Sequence, residues 1–153
     1  MGYKGRVDAL SRLSSAVVDL VLSGDCLHGA LAEREGLNRT ALEALVRSAE
    51  AEQITPKDLA HRMRMTNGAI TAVTDRLVAA GYLARSPHPQ DRRSVLLAPT
   101  QRGLEIVERT SGVFRDAIKN ALSAADDDAL PGFAASLSQI SDKMVAASER
   151  DPA

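Results

Sequence analysis

Aromatic residues are nearly missing from this chain: two Tyr, two Phe and no Trp in 153 residues. A core without large rings must be made of Leu, Val, Ala and Ile, packed between helices. Cysteine occurs once, as Cys26, which excludes an internal disulfide framework. That Cys and three scattered His form no ligand spacing for a metal. No apolar run approaches the ~20 residues of a membrane span. The start, MGYKGRVDAL, lacks a secretory apolar region, so a cytoplasmic protein is expected. A phosphate-cradling Gly loop and a nucleophile–base–orienter set are also absent, so nothing points to an enzyme or to a cofactor.

Net charge is small, at −1, but it is unevenly spread. Between Ile54 and Gly103 lie eight basic residues and three acidic ones, a local +5. The remainder holds eleven basic and seventeen acidic residues, or −6. A basic middle in an acidic frame is the footprint of a nucleic-acid site on one face, although a solvated charged surface has the same composition.

The length suits one domain, 1–153, and the periodicity makes it mainly α. Val7, Leu10, Leu13, Val17, Leu20 and Val21 form a helical stripe that Gly24 interrupts or kinks; Leu27 and Leu31 continue it towards a stop at Gly36. Asn38 caps a second helix carrying Leu42, Leu45 and Val46. Thr55-Pro56-Lys57-Asp58 is a capped helix start with Pro in first position, and that helix ends near Arg64. Thr66 caps the next, whose apolar face is Ile70, Val73, Leu77 and Val78. Its opposite face carries Thr71, Thr74 and Asp75, and Gly81 is its stop. Tyr82–Arg85 and Ser94–Ala98 read as two strands around a proline-rich, charged tip. From Thr100 a long helix runs to about Leu122. A last helix begins near Asp127, since Pro131 is tolerated only in a first turn. Its apolar face is Phe133, Leu137, Ile140 and Met144, and the tail from Ser148 is expected to fray.

Three pieces of this middle region, LAHRMRMTNGAITAVTDRL, Asp91-Arg92-Arg93 and LLAPTQRGLEIV with its Thr-x-x-Gly step, together resemble the winged helix-turn-helix of the MarR family of bacterial transcription regulators. The likeness extends more loosely over nearly the whole chain. Ala72 and Thr74 depart from it: many members carry a basic residue at the first position and an apolar one at the second. The resemblance implies a winged helix-turn-helix over 38–100, with helical dimerisation regions at 4–36 and 101–148. It implies a homodimer whose first and last two helices intertwine with their copies. Two recognition helices then lie roughly 34 Å apart on successive major grooves of double-stranded DNA and read a near-palindrome. The competing account of the terminal stripes is closure of a monomeric core.

In such an arrangement Thr66, Asn67, Gly68 and Thr71 approach base edges. Asn67 has the donor–acceptor pair for adenine, and a Thr methyl suits the thymine methyl. Thr66 is also the cap. Arg76 is placed for phosphate. At the tip, Arg93 reaches the minor groove, and Asp91, two residues away on one strand, holds its guanidinium in aim. Arg92 and His88 are expected as contacts to the DNA backbone or as solvated side chains. Family members are typically repressors relieved by a small molecule, often an aromatic acid; His28 is one candidate contact for such an effector. Cys26 is expected to be inert, since Asp25 beside it opposes thiolate formation. The rival to DNA binding is a helical protein-interaction module using the same apolar stripes.

Overall fold

The computed structural model describes residues 3–91, 93–123 and 127–148. Its internal contacts separate Met1–Gly112 from Val113–Ala153. The first unit opens with a 32-residue helix, α1 (Tyr3–Arg34). It runs unbroken through Gly24, contrary to the interruption expected there. A single glycine costs a helix only about 1 kcal/mol, which 32 residues of helix absorb. Gly36, at φ +69°, supplies the expected stop.

Then come α2 (Arg39–Glu50), α3 (Pro56–Arg62), α4 (Asn67–Ala79), β1 (Leu83–Pro87), β2 (Val95–Pro99) and α5 (Gln101–Ala121). Three of the helix starts are capped as the residue types demand. Asn38 Oδ1 accepts the Ala41 N–H at 2.8 Å, Thr55 Oγ1 accepts the Asp58 N–H at 3.1 Å, and Thr66 Oγ1 accepts the Ala69 N–H at 3.2 Å. Pro56 takes the first turn of α3, where its missing donor costs nothing. Two residues at positive φ, Glu52 and Arg64, turn the chain out of α2 and α3.

The core joins all of these elements. Leu42 and Leu45 of α2, Leu59 of α3, Ile70 and Leu77 of α4, Leu83 of β1, Leu97 of β2 and Ile106 of α5 are each no more than 2% exposed. Burying one such side chain stabilises by about 1.5–3 kcal/mol. The strands pair antiparallel from Leu83 opposite Pro99 to Pro87 opposite Val95. Both start one residue later than the sequence suggested; β2 also ends one residue later, and β1 ends two residues later, at Pro87. Ile54 adds a bridge to Leu97, donating at 3.0 Å and accepting at 2.8 Å, which ties the α2–α3 connection to the hairpin.

Where the hairpin returns to α5, the Thr-x-x-Gly step has a structural basis. Thr100 Oγ1 donates to the Gly81 carbonyl at 2.7 Å and accepts the Gly103 N–H at 3.1 Å. The Thr100 N–H donates to the Tyr82 carbonyl at 3.0 Å. Arg102 donates to the Ala80 carbonyl at 3.3 Å, and its guanidinium lies 4.8 Å from the centre of the Tyr82 ring. A Cβ on Gly103 would sit 2.2 Å from the Tyr82 carbonyl oxygen, so only glycine permits this approach.

Much of α1 is uncovered within the chain: Val7, Leu10, Leu13, Val18, Leu20, Val21 and Leu22 are all exposed. By length and composition alone this helix could cross a membrane, which corrects the statement that no stretch approaches a span. Ala, Ser and Gly between the leucines and valines hide the apolar length from a count of unbroken runs. Asp19 and Asp25 lie in its middle, and near a bilayer centre each costs about 2.5–3.5 kcal/mol. The second unit contains the later part of α5, a 3-10 turn at Asp127–Ala129 and α6 (Leu130–Ser148). Pro131 falls in the first turn of α6 as expected. Phe133 and Met144 of α6 are exposed, as are Val113 and Ile118 of α5. The tail beyond Ser148 lies outside the described residues.

Two stability measurements follow from this architecture. Gly103→Ala is expected to lower unfolding free energy by at least about 1–3 kcal/mol in urea titrations, because backbone and not a mobile side chain must give way. Thr100→Val is expected to cost about 1 kcal/mol through the lost cap. The second measurement concerns Glu35, whose carboxylate accepts from Arg109 Nε at 3.0 Å and Nη2 at 2.7 Å. That hydrogen bonding holds the Glu35 pKa below its ordinary value, against the opposing effect of burial. A depressed carboxylate contributes stability above its unfolded pKa and loses it as pH falls through the folded one. A double-mutant cycle with Glu35→Gln and Arg109→Met should therefore show coupling near pH 7 that is lost as pH falls through the lowered folded-state pKa of Glu35.

Candidate nucleic-acid interface

The first turn of α4 stands open. Thr66, Asn67, Gly68, Ala69, Thr71 and Ala72 are all exposed, while Ile70, Val73 and Leu77 anchor the other face in the core. Nothing lies within 4 Å of a Cβ built on Gly68, so the space before that turn is free for a ligand. The leading N–H groups of a helix have no intrahelical partners, and they carry the positive end of its dipole. Thr66 serves as the cap. Thr71 Oγ1 donates to the Asn67 carbonyl at 2.7 Å, so its oxygen can still accept and its methyl can still meet another methyl. Asn67 and Arg76 are exposed on the same helix.

Thr74 is not on that face. It is fully buried, with its hydroxyl donating to the Thr71 carbonyl at 3.1 Å. The helical period places it beside Val73 and Leu77, and the hydrogen bond to the preceding turn makes a hydroxyl tolerable there. Asp75 is exposed but occupied: Arg85 of β1 donates to it at 2.5 Å and approaches Thr74 Oγ1 at 3.5 Å. This pair fastens the outgoing wing strand to the middle of α4. In the sequence Arg85 was only one of eight basic residues. Its spacing of ten from Asp75 matches no local pairing rule, so only the fold could join them.

The wing tip is ordered by side chains that accept from the main chain. Asp91 Oδ1 accepts the Arg93 N–H at 2.9 Å. The expectation that Asp91 holds the Arg93 guanidinium is thereby corrected: a carboxylate two residues before an N–H closes an Asx-type turn. It still sets where Arg93 leaves the chain, and the Arg93 side chain is exposed. His88 is half-buried, and its Nδ1 accepts from Gln90 and Asp91 N–H groups. It is therefore neither a simple solvated residue nor a free one. Arg92 lies outside the described residues.

Of the remaining candidates, Cys26 is exposed on α1 and His28 is half-buried there. Asp25 is paired with Arg39 at the start of α2. That contact brings a guanidinium to the residue beside Cys26, which the order of residues did not reveal.

The MarR family model matches residues 37–95, from the cap of α2 through the wing. Over 72 residues the chain is 39% identical to an uncharacterized HTH-type transcriptional regulator, YcgE, of Bacillus subtilis, covering 47% of each protein. Over 56 residues it is 41% identical to the multiple antibiotic resistance protein MarR of Escherichia coli, covering 37% of this chain and 39% of that one. The chain thus spans about half the length, or less, of the curated relatives it matches. The structural likeness is longer. Wild-type apo MarR from E. coli superimposes with a TM-score of 0.65 at 25% identity, covering 84% of this chain and 95% of that one. A mutant E. coli MarR complexed with operator DNA gives a TM-score of 0.59 at 25% identity, covering 92% and 99%. The helix order, the two-stranded wing and the matched residues agree on one assignment: residues 37–95 belong to the MarR family, and the chain has the winged helix fold of the MarR structures it superimposes on.

Proposed function

We propose that the protein is a sequence-specific DNA-binding transcriptional regulator, acting as a homodimeric repressor in the cytoplasm. The observation that carries this reading is the open first turn of α4, with free space at Gly68, on a chain whose wing tip also presents an exposed arginine. Thr66, Asn67, Gly68 and Thr71 enter the major groove. Asn67 is the base reader, since its amide can pair bidentately with adenine. Gly68 lets the helix backbone approach, and Arg76 meets phosphate. Arg93, set by Asp91, enters the minor groove, and Arg92, the preceding residue in the sequence, adds a second positive charge to DNA binding. The E. coli relative whose structure contains operator DNA supports this mode for the shared fold.

The exposed apolar residues of α1, α5 and α6 support the dimer. A chain with Leu10, Leu20, Ile118, Phe133 and Met144 all exposed is left with apolar surface that a second copy would cover. A two-fold pair places two α4 helices on one side of a duplex and favours a near-palindromic operator. A small effector, an aromatic acid by family habit, would act by shifting the spacing of those helices.

Fluorescence anisotropy with duplexes from upstream of the chain's own gene tests the DNA reading. Arg93→Ala is expected to weaken operator binding by about 1–3 kcal/mol. Arg76→Ala should weaken all sequences alike and flatten the salt dependence by roughly one phosphate contact. Asn67→Ala should narrow the gap between operator and random DNA by about 1–3 kcal/mol. No salt-dependent binding to any duplex would overturn the reading and leave a protein-interaction module. Sedimentation equilibrium tests the pair: the parent is expected as a dimer, and Leu20→Asp as a monomer or a much weaker dimer.

A further inference from the structure

The wing tip depends on an unprotonated ring nitrogen. His88 Nδ1 lies 3.2 Å from the Gln90 nitrogen and 3.1 Å from the Asp91 nitrogen, and both N–H groups donate to it. The same turn is closed by the His88 N–H donating to the Ser94 carbonyl at 3.2 Å and the Ser94 N–H donating to the Asp91 carbonyl at 3.0 Å. Asp91 then takes the Arg93 N–H. His88 is half-buried, while Pro87, Pro89, Gln90, Asp91 and Arg93 around it are exposed. The ring is thus folded in against the turn that launches Arg93. Pro87 and Pro89 contribute no N–H, so the tip has few other main-chain donors with which to close.

A neutral imidazole offers one acceptor nitrogen; an imidazolium has two donors and none. Protonation of Nδ1 would set an N–H against two N–H groups, and both contacts would be lost. We propose that His88 is a positioning residue of the wing, whose neutral ring holds the tip in its DNA-binding shape, so that acidification loosens the tip and lowers operator affinity. The inference rests on the DNA-binding reading above. The sign follows from the two contacts: both need Nδ1 as an acceptor, so acid acts against the ordered tip. Imidazoles as a class change charge between about pH 5 and 8. A contact from an imidazolium to phosphate would act in the opposite direction, strengthening binding in acid.

Other charged groups on the hairpin and on the elements packed against it are Arg85, Asp91 and Arg93 on the hairpin, Asp75 and Arg76 on α4, Glu43, Arg47 and Glu50 on α2, and Lys57, Asp58, His61 and Arg62 on α3; of these, Asp75 pairs with Arg85. All are unchanged in the variants compared, so a difference between variants reports residue 88. Asn is the informative replacement: its carbonyl can accept the N–H two residues on, and it does not titrate.

The experiment has two arms. In the first, amide NMR of the DNA-free protein follows Gln90 and Asp91 while the His88 ring is titrated. Their amide signals are expected to shift with the ring, and their hydrogen exchange to quicken at least about fivefold beyond the intrinsic pH trend. In the second, operator affinity is measured near pH 7.5 and near pH 5.5. The parent should lose at least about fivefold more affinity on acidification than His88→Asn, and His88→Ala should bind more weakly than the parent at the higher pH. Amides that ignore the ring, or parallel pH responses of parent and His88→Asn, would overturn the role given to His88. Failure of the parent to bind DNA at either pH would instead count against the DNA reading, and the NMR arm would still decide the tip.

Discussion

The Gly81–Tyr82 turn is where three parts of the molecule meet, and the approach of Gly103 to the Tyr82 carbonyl governs all of them. The end of α4 leaves carbonyls without helical partners, as every helix does. Here residues from the start of α5 take them: Arg102 at Ala80, the Thr100 hydroxyl at Gly81 and the Thr100 N–H at Tyr82. Leu83 opposite Pro99, the first rung of the wing, is the next pair outward. A side chain at position 103 would force the turn away from α5, and the hairpin would move with it. The orientation of the α4 N-terminus relative to the wing is therefore set at the opposite end of α4, by a contact that touches no ligand.

Electrostatics complements that mechanical linkage. On the proposed reading, the surface facing DNA should not carry a free carboxylate, yet α4 has Asp75 and the tip has Asp91. Both are engaged: Asp75 accepts from Arg85, and Asp91 accepts the Arg93 N–H. Asp75 is offset by the Arg85 guanidinium, while Asp91 keeps its charge but serves as an acceptor that supports the segment carrying Arg93. The pairs are exposed, so their net stabilisation is small. Their effect is on geometry, holding strand to helix and tip to strand. Away from this region, Arg39 with Asp25 ties α1 to α2, and Arg109 with Glu35 ties the turn after α1 to α5. The acidic frame noted in the sequence is thus partly used for internal linkage.

The local signals in the sequence proved readable wherever one residue type has one structural use. Asn38, Thr55 and Thr66 cap, Pro56 begins a helix and Gly36 ends one, because each choice satisfies a main-chain need within four residues. The apolar face of α4 followed from its period. Thr74 did not, because a threonine is polar by composition but apolar enough in volume to pack when its hydroxyl bonds the turn behind it. Gly24 misled for the opposite reason, since a glycine signals a break only when nothing else sustains the helix. Arg85, Arg102 and His88 were out of reach of pattern reading. Their partners lie 10 and 22 residues away in the first two cases, and in the third depend on a turn whose shape no pair of residues predicts.

The two tasks proposed for the wing make different demands on its residues. Reaching the minor groove calls for a long cation at a fixed exit point, and Arg93 meets that with its guanidinium side chain. Fixing the exit point calls for acceptors for the Gln90, Asp91 and Arg93 N–H groups, and side chains supply them. A carboxylate serves at Asp91, where it also offsets local positive charge. A second carboxylate in place of His88 would also accept two N–H groups, but it would add negative charge to a surface meant for phosphate. A neutral imidazole accepts without that charge, and it is the one side chain whose capacity to accept disappears within the physiological pH range. The choice that suits the surface electrostatically is therefore the one that makes the wing sensitive to acid.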